Sequence, residues 1–416
     1  MVFRLHAHAF QQTIRKFPYL FCVLLVGQLL PAVLTAQEKN PLELITVSGE
    51  TIPATVTAID KDGKLTGENI PEGLDLDGLR EIRSGTAATE QKPRVVVHLA
   101  NGDLYADQIK IADEQCEIQS SIGDFKFGIE SMKGVRLQPD KPLESFDEAL
   151  SKPLEALDQI FIQVDGQFQR IEGILDSIGA GKISIEYEGE SRELPLDRIY
   201  GVVVASIADD GQRKINADLQ LRNGSRFLGN IKSMADGQLE VNVGPFADIK
   251  IPLQAVARIK VRSSRLAFLS DLQPIVVEQK SLIVTVSRPW QKDLSIEGHP
   301  LTLAVDGGKS EKIYNKGLGT HAGCKLVYKN DGDFDRLAAT IGIDAETRRR
   351  GDCIFVVLGD ERELFSERVR GIDEPKQIQL NIKGVSEITL LVQPGENLDL
   401  GDHADWCDAR FLKTAE

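Results

Sequence analysis

Apolar and polar residues alternate along most of this chain in short runs, and Gly-containing turns separate the runs. A period of two predicts strands with one buried face. The clearest stretch is LQLRNGSRFLGNIKSMADGQLEVNVGPFADIKIPLQAVARIKV, residues 219–261. An alternating strand meets a tight turn at Asn223-Gly224, and a second strand runs to a turn at Asp236-Gly237. LEVNV follows, and the pair IKIPL and VARIKV closes the unit. Alternation flanking Asn-Gly and Asp-Gly is the strongest local hairpin signal.

The scheme recurs. RVVVHLANGDLYADQIKIADEQCEIQSSIGDFKFGIESMKGVRL (94–137) turns at Asn101-Gly102, and IFIQVDGQFQRIEGILDSIGAGKISIEYEGESRELPLDRIYGVVVA (160–205) turns at Asp165-Gly166. ELITVSGETIPATVTAIDKDGKLTGENIPEGLDLDGLREIRS (43–84) is a weaker copy. Roughly five short strands in about 45 residues suit a small SH3-like or Sm-like barrel. The pattern therefore predicts two barrels over 43–137 and two over 160–263. A barrel this small is marginal alone, so neighbours are expected to pack together.

Residues 138–159 break the alternation. Leu143, Phe146, Leu150, Leu154 and Leu157 recur at steps of three and four, a helical stripe that Pro153 should interrupt. This is expected to be a connector lying on a barrel. His98, the one histidine of the repeats, sits on the apolar strand VVVHLA and reads as a strand residue rather than a ligand. Asn223-Gly224-Ser225 has the form of a glycosylation sequon, but the hairpin turn already explains it.

From residue 264 to 416 the strand signals continue through LIVTVS, LTLAV, KLVYK, LAATIGI, CIFVVLG, ELFSERV, QIQLNI and EITLLVQ. So many strands with almost no helical period predict a β-sandwich of jelly-roll size. The fold class is then all-β throughout. Several chemical templates fail here. KGLGTHAG has dinucleotide-loop glycines at the wrong spacing, with a strand after them. NDGDFDR (330–336) lacks the glycine and the glutamate of a calcium loop, so a turn explains it better. No G-x-S-x-G is present. His321 with Cys324, and His403 with Cys407, could in principle make a four-ligand zinc site, but one disulfide plus two structural histidines explains them more simply.

Composition narrows the partners. The net charge is -14 with no basic run, which argues against nucleic acid or anionic lipid. Residues 1–36 carry Arg4, Arg15 and Lys16 before PYLFCVLLVGQLLPAVLTA, the pattern of an export signal with Ala36–Gln37 as the cut. An uncleaved anchor is the alternative. Beyond the signal no membrane contact is expected, and the location is exported: periplasmic, cell-surface or extracellular. An oxidising compartment permits one disulfide among Cys324, Cys353 and Cys407, and the sequence leaves the pair open.

Four segments of this region carry a family resemblance. YNKGLGTHAGCKLVY, DFDRLAATIGID, LFSERVRGIDEPKQIQLNIKGVSEITLLV and GDHADWCDARF occur in that order. Together they resemble the NPCBM domain, a carbohydrate-binding module found beside glycoside hydrolase family 98 enzymes and related to family 51 modules. The resemblance covers about residues 280 to 413, a third of the chain. It implies a galactose-binding-like β-sandwich that holds sugar without cleaving it, and brings His321 near His403. Sugar recognition needs planar polar groups for paired hydroxyls and an apolar face for ring C–H groups. The candidates are His321, Asp344, Arg348, Asp402, His403 and Trp406, with Glu346 and the other arginines of GIDAETRRRGD as further polar groups. Trp406 either meets the ligand or belongs to the core, and Asp402 either meets the ligand or ties its loop. Three arginines in that loop depart from the family's short acidic loop, which puts family specificity in doubt. No cofactor is expected, although related sandwiches leave room for a structural calcium.

The expected function is thus an exported, non-catalytic carbohydrate-binding protein, with the barrels as spacers or a protein-binding platform. The alternatives are an envelope protein whose sandwich contacts protein instead of sugar, and, more weakly, a glycoside hydrolase or its accessory, which would need a carboxylate pair in a concave site.

Overall fold

The structure is a computed structural model that describes residues 41–85, 92–205, 216–243, 248–280, 289–330, 332–347, 349–396 and 398–414. The export-signal expectation for 1–36 and the candidate Arg348 lie outside these residues. Among the described residues no helix is long and apolar enough to cross a membrane.

Four barrel repeats and a sandwich follow one another. Repeat 1 has strands Leu42–Thr46, Thr51–Ile59, Leu65–Glu68 and Leu79–Ser84. Repeat 2 runs from Val95–Leu99 to Met132–Arg136, its second strand broken into Gly102–Ala106 and Gln108–Ala112. Repeat 3 spans Asp158–Val164, Gln167–Gly179, Lys182–Tyr187, Glu190–Pro195 and Ile199–Val203. Repeat 4 spans Ala217–Leu221, Arg226–Ala235, Gln238–Asn242, Asp248–Pro252 and Val256–Val261. In each, a single 3-10 turn precedes the closing strand: Leu76–Gly78, Ile129–Ser131, Leu196–Arg198 and Leu253–Ala255. The turn dipeptides act as their chemistry requires at Asp165-Gly166, where both residues are left-handed (φ 51° and 80°), matching a type I′ hairpin.

The repeats share one 20-stranded sheet and one continuous core, but sequence neighbours are not always the pairing partners. Repeat 1 joins repeat 4 through Leu79–Ser84 and Val256–Val261, with Ile82 opposite Ile259. Repeat 2 joins repeat 3 through Met132–Arg136 and Ile199–Val203, with Val135 opposite Val202. The two pairs meet where Phe227 of repeat 4 lies opposite Gly102 of repeat 2. A Cβ at Gly102 would sit 2.3 Å from the Arg226 carbonyl, so the Asn-Gly glycine serves backbone approach as much as the turn. The sequon lies in this junction. Asn223 Nδ2 donates to the Tyr105 carbonyl at 2.9 Å, Ser225 Oγ accepts from Tyr105 N–H at 2.8 Å, and both residues are buried.

The helical stripe forms one short helix, Glu144–Ser151, which ends before Pro153 as its ring requires. Phe146 packs edge-on against Phe161 and Tyr200, each 5.2 Å away by ring centroids. His98 stays a strand residue, its Nδ1 2.7 Å from Asp103 Oδ1 and its ring 6.0 Å from Phe146.

The C-terminal part is two antiparallel sheets. One orders Gln291–Lys292, Gly317–His321, His403–Leu412, Arg336–Ile343 and Lys376–Asn381, with Leu266–Phe268 alongside the last strand. The other orders Val276–Gln279, Cys324–Lys329, Glu387–Pro394, Asp352–Gly359 and Arg362–Arg370. Their facing apolar residues form the second large core, with Trp406, Phe355, Phe411 and Tyr328 fully buried. A hairpin, Leu301–Val305 with Ser310–Tyr314, covers the outer face of the first sheet, where Leu301 and Leu303 pack on Cys407.

The sandwich is fastened to repeat 1. Arg410, almost fully buried, donates to the Val47 and Ser48 carbonyls at 3.2 and 2.6 Å and to Asp408 Oδ2 at 2.8 Å. Arg80 of repeat 1 donates to the same Asp408 carboxylate at 2.9 Å. Arg265 adds an ion pair to Asp75 at 2.8 Å.

Candidate functional site

The last strand organises the candidate residues by alternation. Ala404, Trp406, Ala409 and Phe411 point between the sheets. His403, Asp405 and Cys407 point the other way, toward the hairpin side. This decides several expectations. Trp406, 1% exposed and 5.0 Å edge-on to Phe355, is core and cannot meet a ligand. Asp402 takes the second of the two roles open to it: it is wholly buried, and its Oδ1 accepts the Asp352 N–H at 2.8 Å, so it ties the loop before the last strand to the start of Asp352–Gly359. Burial raises the Asp402 carboxyl to about 6, with the charges of Asp352 and Asp399 adding to it.

Cys324, Cys353 and Cys407 are free thiols, so the disulfide allowed by the sequence does not form. Cys324 and Cys353 belong to the core between the sheets, on strands separated by Glu387–Pro394. Cys407 lies on the far side of the other sheet. The same split of Cys324 from Cys407 removes the four-ligand zinc arrangement, and among the described residues no His, Cys, Asp and Glu group could hold a metal.

His321 and His403 are direct cross-strand partners, their rings 5.7 Å apart by centroids. The expected proximity of these two holds. His403 Nδ1 lies 2.7 Å from Glu346 Oε1, and its Nε2 faces Glu297 Oε1 at 3.7 Å. Glu346 Oε2 takes His299 Nδ1 at 2.8 Å and the Ser295 hydroxyl at 2.8 Å. Burial works against the Glu346 charge, but hydrogen bonds from His299, Ser295 and His403 outweigh it and hold its carboxyl below the usual range. An ionised carboxylate only accepts, so both Nδ1 atoms carry the proton toward Glu346. One carboxylate thus fixes two imidazoles and a hydroxyl.

Asp344 anchors the loop that carries Glu346. Its N–H donates to the His403 carbonyl at 2.9 Å, its Oδ1 accepts from Glu346 N–H at 2.8 Å, and its Oδ2 accepts from Thr302 N–H at 3.1 Å. Asp344 is buried, so it positions Glu346 rather than meeting solvent. Behind it Asp405 is wholly buried, and burial followed by the Asp344 carboxyl pushes its own well above the usual range. Burial and the neighbouring Asp344 carboxyl thus both favour the neutral form of Asp405. Arg349 is turned away, donating to the Gly307 and Ile372 carbonyls at 2.7 and 2.9 Å. Beside the buried His321 and His403, the His299 and Glu297 side chains are exposed, and Leu398 and Leu400 on the loop before Asp402 are each 59% exposed. That loop leads into Asp402, whose carbonyl accepts the Ala322 N–H at 3.3 Å, next to His321. Sequence reasoning missed Ser295, Glu297 and His299: the turn that folds them over Glu346 leaves no periodic signature.

Two depressions also open on the sandwich surface, one lined by Arg368, Arg370, Ile372 and Lys376 and one by Arg336, Gln379 and Asn381. In the first, Arg368 is paired with Asp352 and Glu396, Arg370 with Asp373 and Lys376 with Glu367. Its cations are already committed.

The family model that matches this chain is the NPCBM/NEW2 domain, over residues 265–412. Residues 265–412 are an NPCBM/NEW2 domain. Its boundary coincides with the change from barrels to sandwich, and its first strand, Leu266–Phe268, pairs with its last. Over 120 residues the chain is 32% identical to a Renibacterium salmoninarum protein named "Putative endo-alpha-N-acetylgalactosaminidase", covering 29% of this chain and 8% of that protein's length. Among solved structures, a CBM51 from Clostridium perfringens GH95 in complex with methyl-galactose is 26% identical, with a TM-score of 0.32, covering 35% of this chain and 99% of the other. The CBM51-2 and INT domains of Clostridium perfringens ZmpB, with GlcNAc, are 24% identical, with a TM-score of 0.34, covering 45% of this chain and 41% of that one.

Proposed function

We propose that the NPCBM/NEW2 domain binds a saccharide at the edge formed by His321, His403, Glu346, His299 and Glu297, and does not cleave it. The observation that carries this reading is the Glu346 carboxylate holding two imidazoles beside the His321–His403 pair. Such an array presents fixed donors and acceptors to vicinal hydroxyls at little entropic cost. Leu398 and Leu400 supply the apolar side for ring C–H groups, the part the sequence offered to Trp406. Turnover would need accessible paired carboxyls. Asp344, Asp402 and Asp405 are buried, and Glu346 is engaged by three donors.

Residues 1–36 direct export, and the barrels hold the domain in a fixed orientation through Arg410 and Arg80. The similarity to the Renibacterium protein reaches 8% of its length, so that protein's activity is not carried over. The test is a glycan panel probed with the full chain and with His321→Ala and His403→Ala. Binding to at least one glycan, weakened tenfold or more in both variants, supports the reading. Binding to none, with protein partners co-purifying, turns it to an envelope protein, and release of sugar from a polysaccharide turns it to a hydrolase.

A further inference from the structure

Every strand-to-strand junction between repeats in the described residues joins like to like. Closing strands pair with closing strands, Ile82 opposite Ile259 and Val135 opposite Val202. The far ends of the second strands pair with each other, Ile59 opposite Met234 and Ile111 opposite Ile178. The opening segments of the second strands pair where repeats 2 and 4 meet, Asp103 opposite Arg226 and Gly102 opposite Phe227.

Four such opening segments exist, one per repeat, and three are accounted for. Those of repeats 2 and 4 are used on each other. That of repeat 1 carries Pro53, which has no N–H to offer a partner strand, and the adjoining turn at Val47 and Ser48 is held by Arg410. The fourth, Gln167–Glu172 of repeat 3, has no proline, and Gln167, Gln169, Arg170 and Glu172 are exposed. Among the described residues this segment pairs only with Asp158–Val164, which leaves its other edge open. Its hairpin holds seven paired positions against four in the equivalent hairpin of repeat 4, so it reaches beyond the barrel. Val164, one of the exposed large apolar residues, lies on it.

We propose that this edge pairs antiparallel with the same edge of a second copy of the chain, giving a two-fold dimer centred on repeat 3. An open, proline-free edge is a template for strand addition, and a two-fold axis supplies the like partner that the chain's own junctions all use. Arg170 and Glu172 cancel within each copy, so two such edges meet without net repulsion. The sandwich, fixed to repeat 1, is then displayed twice.

The test is sedimentation velocity of the full chain over a concentration series. A dimer is expected, reduced to monomer in the Gln167→Lys/Gln169→Lys double variant, with circular dichroism and Tm unchanged. A wild-type chain that stays monomeric at the highest concentration overturns the proposal, as does a dimer that survives both lysines. Gln169→Cys reads the geometry independently. The described cysteines are buried, so a mild oxidant should convert this variant, and not the wild type, to a covalent dimer. No cross-link would overturn the two-fold pairing.

Discussion

Replacing Asp402 with Asn tests the burial of charge behind the candidate site. The Asp402 carboxyl is raised from 3.8 to about 6, chiefly by burial. The folded state therefore binds a proton that the unfolded chain has released between these values. With ν_U smaller than ν_N, stability falls as pH rises through that window and is level above it. The shift is a little over two units, and at 1.36 kcal/mol per unit it amounts to about 3 kcal/mol. Asparagine matches the neutral acid in shape, keeps the oxygen that accepts from Asp352, and does not titrate. The advantage of Asp402→Asn over wild type should then grow by about 2.4 kcal/mol from pH 4 to pH 7, the rest of the change lying below pH 4. Any uniform misfit of the amide drops out, because only the change with pH is read. Acid groups held low, such as Glu346 and Asp352, push stability the opposite way but are common to both proteins. Both tryptophans, Trp290 and Trp406, belong to the sandwich, so urea melts followed by tryptophan fluorescence report this domain alone. Parallel pH profiles for the two proteins would refute the reasoning and make Asp402 a solvated carboxylate.

Trp406→Ala should cost the sandwich about 3–5 kcal/mol, the usual range for emptying a large aromatic from a core, read as a lower urea midpoint of the fluorescence transition; a cost below 1 kcal/mol would mean that Trp406 is not core. Arg410→Ala removes two charged hydrogen bonds to repeat 1, roughly 1.5–3 kcal/mol each, and calorimetry should show the sandwich and barrel transitions separating; one unchanged peak would discount the clamp. Leu398→Asp and Leu400→Asp should weaken glycan binding about tenfold or more, the loss expected for one buried aliphatic contact of about 1.5–3 kcal/mol, while leaving the melting temperature within a degree or two.

The barrels and the sandwich were legible because period two and the turn dipeptides act over a few residues, as at Asp165-Gly166. Pairing of repeat 1 with 4 and of 2 with 3 was not, since alternation marks a buried face and says nothing of which edge meets which. The last strand shows the same limit. It is covered on both faces, so Asp405 looks like a surface acid in sequence and is wholly buried, as Asp402 is. His321 beside His403 was foreseen from the family's strand order. The clamp on Glu346 was not, because Ser295 and His299 reach it from a turn about fifty residues away. Trp406 had the right chemistry for a sugar platform, and its place on the strand put it inside.

A crystal of the full chain soaked with a glycan that scores in the panel tests the central claim most directly. The account predicts a sugar against His321, His403 and Glu346, with Leu398 and Leu400 along its apolar face. Sugar seated instead in the depression between Arg368 and Lys376, or on the barrels, would contradict it.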